Sequence, residues 1–225
     1  MRRINIAIDG PSGAGKSTLA RMTAERLGYV YIDTGAIYRS VALYVLKSGA
    51  DPKDPDAVAK LLPDIRVELK HDVSGLQRMY LNGEDVTEQI RTPEVSIVAS
   101  DTSAMPAVRR ALIDMQRGIA KNGGVVMDGR DIGTVVLPDA EVKIFLTATP
   151  EERARRRCRE LKEKGLPAAY EDVLRDMIYR DKNDSTRASA PLRQAEDAVL
   201  LDTTELTLEE SFEAIKNIVS EIIRV

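Results

Sequence analysis

The sequence has little of what disulfides, histidine sites and membrane spans require. Its 225 residues include one cysteine and one histidine. A single cysteine, Cys158, excludes an internal disulfide framework and is typical of a reducing cytoplasm, so we expect a cytoplasmic protein. One histidine, His71, excludes histidine relays and multi-histidine metal sites, and we predict that it lies in a surface loop. No apolar run approaches the roughly 20 residues that cross a bilayer, so no membrane partner is expected.

The chain also lacks a large excess of charge of one sign. Its 33 Lys and Arg residues nearly balance its 36 Asp and Glu residues, for a net charge of −3. That balance excludes an electrostatic reason to bind a nucleic acid polymer. The hydrophobic content of 43% suits one good core and leaves room for a small added unit. Because Asn5 and Asp9 interrupt the apolar start, we expect no signal peptide. We also expect a monomer.

A glycine-rich turn follows the apolar residues 4–8 and opens a helical pattern. It matches G-x-x-x-x-G-K-[ST], in which backbone N–H groups cradle phosphates, the lysine reaches the outer phosphates and the hydroxyl binds Mg²⁺. A glycine-rich turn without function is the alternative, but the flanking strand and helix favour the phosphate site. The pattern predicts an ATP site, with Mg²⁺ on Ser17, made by Gly10, Pro11, Ser12, Gly13, Ala14, Gly15, Lys16, Ser17 and Thr18.

Buried strand candidates alternate with helical patterns along most of the chain, at residues 4–8, 29–32, 125–127, 142–146 and 199–201. This alternation predicts a parallel sheet with helices on both faces. Residues 65–69 and 78–81 instead alternate like half-exposed strands, and Asn82-Gly83 is typical of a tight turn. They predict a small antiparallel insert. Later, Thr149, Pro150 and Glu152 predict a helix start with a capping box, followed by a charged helical pair to about residue 187.

Charged clusters follow two of the predicted strands, where a parallel sheet places its ligands. Arg39 would lie on the first turns of a helix and could hold a phosphate, although an ordinary surface arginine is the alternative. Asp128 ends a buried strand, where it could act as the metal-side carboxylate through a water; a structural salt bridge is the alternative.

A third cluster lies on the arginine-rich helix after Pro150. Such charge runs are usually solvated faces, and nearby glutamates could neutralise part of this one. A mobile arginine-bearing lid is the functional interpretation, since phosphoryl transfer needs positive charge and exclusion of water.

Five motifs in order resemble the cytidylate kinases, bacterial CMP/dCMP kinases within the nucleoside monophosphate kinase family of P-loop kinases. They begin at Asp9, Asp33, Asp128, Val142 and Arg187, and the resemblance covers essentially the whole chain. It implies an α/β fold with a P-loop core, a five-stranded parallel sheet flanked by helices, a small antiparallel insert and a short helical lid. One domain over residues 1–225 would have its core at about 1–48, 101–148 and 190–225, its insert at 49–100 and its lid at 149–189.

The resemblance also implies transfer of the γ-phosphoryl group of ATP to CMP or dCMP, with Mg²⁺ as cofactor. A nucleotide phosphate is already an anionic nucleophile, so no dedicated base is required and catalysis depends on alignment and charge. On the family's pattern Arg39 and Arg130 hold the acceptor phosphate, and Lys16 with the lid arginines Arg153 and Arg157 stabilises the transferring group. The catalytic residues implied are Lys16, Arg130, Arg153 and Arg157. The CMP-binding residues implied are Thr34, Arg39, Ser100, Arg109, Arg130, Asp131, Arg180, Asp184 and Arg187.

Within that set, Asp131, Arg109 and Ser100 correspond to residues that read cytosine, supported by Arg187. Arg180 and Asp184 correspond to contacts with the sugar hydroxyls. A carboxylate beside a fixed cationic donor suits cytosine, which offers a donor at N4 and acceptors at N3 and O2.

Two alternatives remain open at the level of sequence. One is another P-loop kinase, acting on UMP, AMP, shikimate or gluconate, against which the 50-residue stretch before Ser100 and the motif at Asp128 argue. The other is a non-catalytic nucleotide-dependent regulator. A GTPase switch should carry Asn-Lys-x-Asp, which is absent from the sequence.

Overall fold

The computed structural model describes residues 3–73, 75–163 and 165–223. The strands are β1 (Asn5–Asp9), β2 (Val30–Asp33), β3 (Val67–His71), β4 (Gln77–Leu81), β5 (Glu84–Asp85), β6 (Val125–Gly129), β7 (Val142–Thr147) and β8 (Val199–Asp202). The helices are α1 (Lys16–Leu27), α2 (Thr34–Ser48), α3 (Pro55–Leu61), α4 (Pro93–Ser103), α5 (Pro106–Ala120), α6 (Pro150–Glu163), α7 (Tyr170–Thr186) and α8 (Leu208–Ile223). None of the helices in these ranges combines the length and apolarity that a membrane crossing needs.

Five parallel strands form the central sheet in the order β2-β6-β1-β7-β8, which confirms the predicted parallel core. Their carboxyl ends meet at one edge of the sheet. Asp33 pairs in register with Asp128, and Asp9 pairs with Gly129. Three strand-ending carboxylates are therefore brought together from distant parts of the sequence.

Strand β1 is buried on both faces, which explains its continuous apolar sequence. Ile6 and Ile8 pack in one cluster with residues of α1 and α8, whereas Ala7 packs on the opposite face with Ile32 and Met127. Burial of a side chain such as isoleucine contributes about 1.5–3 kcal/mol, so these contacts hold the strand firmly beneath the loop that follows it.

The insert carries the antiparallel sheet β3-β4-β5, as predicted, with β5 as an additional short strand. Asn82 and Gly83 have φ values of 51° and 87°, so the predicted tight turn is confirmed. Met79 and Leu81 pack against residues of α2 and α4. The prediction of a loop position for His71 is wrong: this exposed residue ends β3, with Nε2 3.2 Å from the Tyr31 carbonyl oxygen.

The charged helical pair is formed by α6 and α7, in agreement with the sequence pattern. The predicted capping box is only half formed. The Glu152 N–H lies 3.4 Å from Thr149 Oγ1, but the Thr149 N–H donates to Thr204 Oγ1 instead of to Glu152. The Glu152 carboxylate pairs instead with neighbouring arginines, because a charged partner binds it more strongly than a backbone N–H does.

Candidate functional site

The loop between β1 and α1 has the backbone geometry of a phosphate cradle. Gly10 lies at φ +151°, where an added Cβ would come within 1.9 Å of the Leu146 carbonyl oxygen, so only glycine fits. Gly15 takes a left-handed conformation immediately before α1 begins at Lys16. The first N–H groups of this helix therefore face the loop with the positive end of its dipole.

Lys16 is buried within the cradle, and its Nζ donates to the Pro11 carbonyl oxygen at 2.7 Å. Burial, together with the charge of Arg130, lowers the pKa of Lys16 to about 7. An anion bound in the loop would favour the charged lysine, because an opposite charge at close range stabilises the ammonium form.

Beside the cradle, the Asp128 carboxylate accepts hydrogen bonds from two hydroxyl groups. Ser17 Oγ donates to Oδ2 at 3.0 Å and Tyr31 Oη donates to Oδ1 at 2.9 Å. Burial, with the nearby charge of Asp33, raises the pKa of Asp128 to about 6. Mg²⁺ is usually held by one or two protein oxygens plus substrate phosphates, and Ser17 with Asp128 fits that pattern. The described residues contain no group of three or more His, Cys, Asp or Glu side chains able to cage a metal ion.

Asp9, at the end of β1, fixes the turn that carries the motif after β6. Its two carboxylate oxygens accept the backbone N–H groups of Ile132 at 2.8 Å and Gly133 at 2.7 Å. Burial raises the pKa of Asp9 to about 6, while these two hydrogen bonds act in the opposite direction. Because Arg130 and Asp131 directly precede Ile132, these bonds from the end of β1 also help to position Arg130 and Asp131.

Cationic side chains from four parts of the chain lie close together where α7 packs near the carboxyl edge of the central sheet. Arg39 Nη2 lies 2.8 Å from Asp33 Oδ2, which also pairs with Arg91 at 3.1 Å. Arg130 Nε lies 2.8 Å from Asp184 Oδ2. Arg180 lies close enough to the charge of Arg130 that burial and this repulsion lower the pKa of Arg180 to about 10.

Two nitrogens of this cationic group have no hydrogen-bond partner among the described residues. They are the buried Nε atoms of Arg39 and Arg180. A buried N–H without a partner costs about 1–3 kcal/mol, so the arrangement is suited to an anionic ligand that accepts from both.

A second charged group surrounds Asp131 and is almost completely enclosed. Its carboxylate pairs with Arg109 through Oδ2 and with Arg187 through Oδ1, the latter at 3.3 Å. Burial raises the pKa of Asp131 despite the two guanidinium charges. Arg109 Nη1 is buried and unpartnered in the part of the chain that the structure describes, and the ring of Tyr38 lies 5.7 Å away. The group therefore presents a fixed donor beside a carboxylate.

The remaining residues predicted to bind CMP lie around these two groups. Ser100 Oγ donates to Asp184 Oδ1 at 3.2 Å and accepts from Asn183 Nδ2 at 2.9 Å. Thr34 Oγ1 donates to the Asp128 carbonyl oxygen at 2.8 Å, which ties the start of α2 to the end of β6.

The two arginines of α6 singled out from the sequence occupy different environments. Arg153 is buried against the cradle, donating to the carbonyl oxygens of Ser12 and Ala148 at 2.8 Å each and to Asp181 at 2.6 Å. Arg157 is partly exposed and pairs at 3.0 Å with Glu160 of its own helix. In this conformation Arg153 supports the loop, whereas the partner of Arg157 among the described residues is Glu160, in a surface ion pair.

Three residues of the site were not singled out by the sequence analysis. Tyr31 reaches Asp128, Arg91 reaches Asp33, and Gln77 both accepts from the Asp33 N–H at 2.8 Å and donates to its carbonyl oxygen at 3.2 Å. A tyrosine within a buried strand needs a partner for its hydroxyl, which was the available clue for Tyr31. Nothing in the sequence distinguishes Gln77 or Arg91 from other polar residues of the insert.

The chain is similar to known proteins over nearly its whole length. Residues 6–221 match the family model described as cytidylate kinase. The cytidylate kinase of Caldicellulosiruptor bescii is 52% identical over 224 residues, covering 100% of this chain and 99% of the relative. That of Pelotomaculum thermopropionicum is 50% identical over 218 residues, with coverages of 97% and 95%. A solved structure of an uncharacterized protein from Eubacterium ventriosum covers 98% of both chains with 14% identity and a TM-score of 0.50, a likeness in fold alone.

Proposed function

This chain belongs to the cytidylate kinase family, and we infer that it transfers the γ-phosphoryl group of ATP to CMP or dCMP. The products are ADP and CDP or dCDP. One observation on the site carries this inference. Arg39, Arg109 and Arg180 each have a buried guanidinium nitrogen that has no hydrogen-bond partner among the described residues. They lie in the two charged groups next to the phosphate cradle, where a nucleotide would supply both an anion and base acceptors.

The acceptor phosphate binds between Arg39, Arg130 and Arg180 in this proposal. Because the phosphate is already ionised near neutral pH, it needs little deprotonation, and alignment with charge stabilisation is sufficient. Asp33 and Asp184 hold two of these arginines by ion pairs of 2.8 Å, which keeps the guanidinium groups oriented before the substrate arrives.

Cytosine is read by the Asp131 group. The carboxylate accepts from the N4 amino group, and Arg109 donates to the acceptors on the opposite part of the base edge. Arg187 holds the other oxygen of Asp131, and Ser100 completes the base site. Asp184 contacts the sugar together with Arg180, which in this proposal reaches both the sugar and the acceptor phosphate. The support for Arg109 is its unpartnered Nη1, located on the guanidinium that already pairs with Asp131.

ATP binds in the cradle of residues 10–18 with Mg²⁺ on Ser17 and Asp128. Mg²⁺ held by these two residues would offset the negative charge of the nucleotide phosphates. Lys16 supplies a further charge at the outer phosphates, and Arg157 delivers one from the lid. Arg153 acts by holding Ser12 and the loop, since its donor groups are already engaged with protein acceptors.

The division into core, insert and lid belongs to the same proposal, with α4 extending three residues past the predicted insert boundary at residue 100. A cytoplasmic location, a monomeric state and the lack of any nucleic acid partner remain predictions from the sequence.

A coupled assay of ADP release tests the function directly. With CMP, dCMP, UMP, AMP, shikimate and gluconate as acceptors, we expect turnover with CMP and dCMP well above that with the others. Preferred turnover of another acceptor would replace the substrate assignment. Binding of ATP without turnover of any acceptor would favour the regulatory alternative, which the family membership does not favour.

A further inference from the structure

Asp128 is held from two sides by hydroxyl groups of different elements. Ser17, at the start of α1, binds Oδ2, while Tyr31, on the edge strand β2, binds Oδ1. Tyr31 and Asp128 are 97 residues apart in sequence and lie on neighbouring parallel strands. Asp128 as a residue is 4% exposed, so the orientation of its side chain is decided by these protein contacts more than by bulk water.

We propose that Tyr31 is a positioning residue, which fixes the carboxylate of Asp128 in the orientation that binds the Mg²⁺–nucleotide complex. The inference deepens the proposed function, since it concerns the same nucleotide site. A carboxylate oxygen has two lone pairs, so the bond from Tyr31 leaves Oδ1 with further acceptor capacity for water around a cation. Ser17 holds one oxygen of the carboxylate, and Tyr31 holds the other, so the two bonds together restrict rotation about the Cβ–Cγ bond more than either does alone.

The chemistry of the phenol suits this task better than that of a cationic residue. A tyrosine hydroxyl is a neutral donor, so it orients Asp128 without cancelling the negative charge that attracts a divalent cation. An arginine at the same place would pair with the carboxylate and compete with the metal ion.

The position of Tyr31 is itself fixed by its surroundings. Its ring packs with the apolar cluster that includes Ile8 and Leu19, on the α1 side of the sheet. A side chain with two rotatable bonds, packed in this way, holds its hydroxyl at little additional entropic cost. Side chains two residues apart share a face of a strand, so Tyr31 faces the same side as Asp33, the register partner of Asp128.

The test removes one hydroxyl and measures the dependence of nucleotide binding on Mg²⁺. Binding of ADP to Tyr31→Phe is followed by calorimetry with Mg²⁺ and with EDTA, and kcat and the KM for CMP are measured separately. We expect the affinity for ADP with Mg²⁺ to fall about tenfold, as for loss of one charge-assisted hydrogen bond. The affinity for ADP in EDTA and the KM for CMP should be unchanged.

Tyr29→Phe is the matched control, because its hydroxyl accepts from the Ile4 N–H at 3.3 Å and does not touch Asp128. We expect this variant to bind ADP like the wild type in both conditions. A second comparison uses Asp128→Asn, in which the additional change Tyr31→Phe should have little further effect on Mg²⁺-dependent binding.

Equal losses with Mg²⁺ and with EDTA would overturn the proposal, since Tyr31 would then only shape the pocket. Full additivity with Asp128→Asn would overturn it as well. Because calorimetry with ADP needs no acceptor, these outcomes are separate from a failure of the proposed function, which would appear as absent CMP turnover in the wild type.

Discussion

At the scale of single residues, the site combines buried charge with incomplete hydrogen bonding. Arg39, Arg109 and Arg180 each keep a buried nitrogen without a partner among the described residues. This arrangement destabilises the folded protein, because each buried donor without a partner costs about 1–3 kcal/mol. Such positions are expected where a ligand completes the bonding, and their chemistry indicates acceptors on a phosphate and a base.

Lys16 provides the most direct test of the phosphate cradle. We expect Lys16→Ala to fold normally and to lose several orders of magnitude in turnover, because it removes the main charge at the outer phosphates. Steady-state kinetics with circular dichroism as a folding check measures this. Arg21→Ala, an exposed change on the same helix, is the control and should retain turnover. Near wild-type activity of folded Lys16→Ala would contradict the mechanism.

Asp131 provides the test of base recognition. We expect Asp131→Asn to lower kcat/KM for CMP by roughly 2 kcal/mol or more, since a charge-assisted bond becomes neutral and two buried arginines lose their partner. UMP should be affected much less, because the new amide can donate to uracil O4. Steady-state kinetics with CMP and with UMP measures the expected decrease in the ratio of their kcat/KM values. Thermal unfolding measures the accompanying loss of stability. Equal kinetic losses for CMP and UMP would show that Asp131 only positions Arg109 and Arg187.

At the scale of elements, helix α6 carries two arginines one turn apart whose surroundings differ. Arg153 binds the phosphate loop through Ser12 and is 3% exposed, while Arg157, one turn later, is 29% exposed and pairs within its own helix. Surface ion pairs are worth about 0–1 kcal/mol, so Arg157 can leave Glu160 easily. Arg153 cannot leave without three acceptors losing their donors.

We therefore expect the alanine variants of the two arginines to differ in their effects on kcat and on the melting temperature. Arg157→Ala should depress kcat more than it weakens CMP binding and leave the melting temperature unchanged, because in the proposed mechanism its charge acts only when the lid closes. Arg153→Ala should lower the melting temperature as well. Arg155→Ala, whose side chain is 62% exposed, is the control and should change neither quantity. A large rise in the KM for CMP with unchanged kcat would assign Arg157 to acceptor binding.

At the scale of the whole molecule, two aspartates form ion pairs between segments that are distant in the sequence. Asp33 at the end of β2 pairs with Arg91 of the insert, and Asp184 on α7 pairs with Arg130 after β6. Although burial acts in the opposite direction, the arginines hold the pKa of Asp33 and of Asp184 below the usual value. A carboxylate whose pKa is lower in the folded than in the unfolded protein stabilises the folded state. This contribution to the free energy of unfolding is fully present at pH values above the unfolded-state pKa and is lost as the pH falls through the folded-state pKa.

The measurement is the free energy of unfolding by urea between pH 7 and pH 3. We expect the contribution of Asp184 to be constant down to about pH 5 and to decline as the pH falls through about 4, the ordinary range of aspartate. Asp184→Asn should lose roughly 2 kcal/mol at pH 7, since Arg130 is left without its partner, and should decline less steeply in acid. The exposed Asp139→Asn is the control. An acid decline of the same size in Asp184→Asn and wild type would contradict the role of this pair.

Most of the architecture was predictable from the sequence by itself. Apolar runs identified the five parallel strands within one or two residues. The inner strands are largely apolar because they are buried on both faces, and the edge strands β2 and β8 keep apolar sequences although they are partly exposed. The phosphate loop was equally predictable, since its glycines are demanded by backbone conformation, as Gly10 shows. Both features depend on local chemistry that a short stretch of chain contains in full.

Only the tertiary structure decided which polar group meets which partner. Arg153 binds Ser12 across 141 residues, and Tyr31 binds Asp128 across 97. The expected capping box was only half formed for the same reason, because arginines of the next turns compete for Glu152. Side chains of one type are interchangeable in a sequence pattern, and it is the folded arrangement of the backbone that gives Arg109 a carboxylate to pair with and leaves Arg110 on the surface.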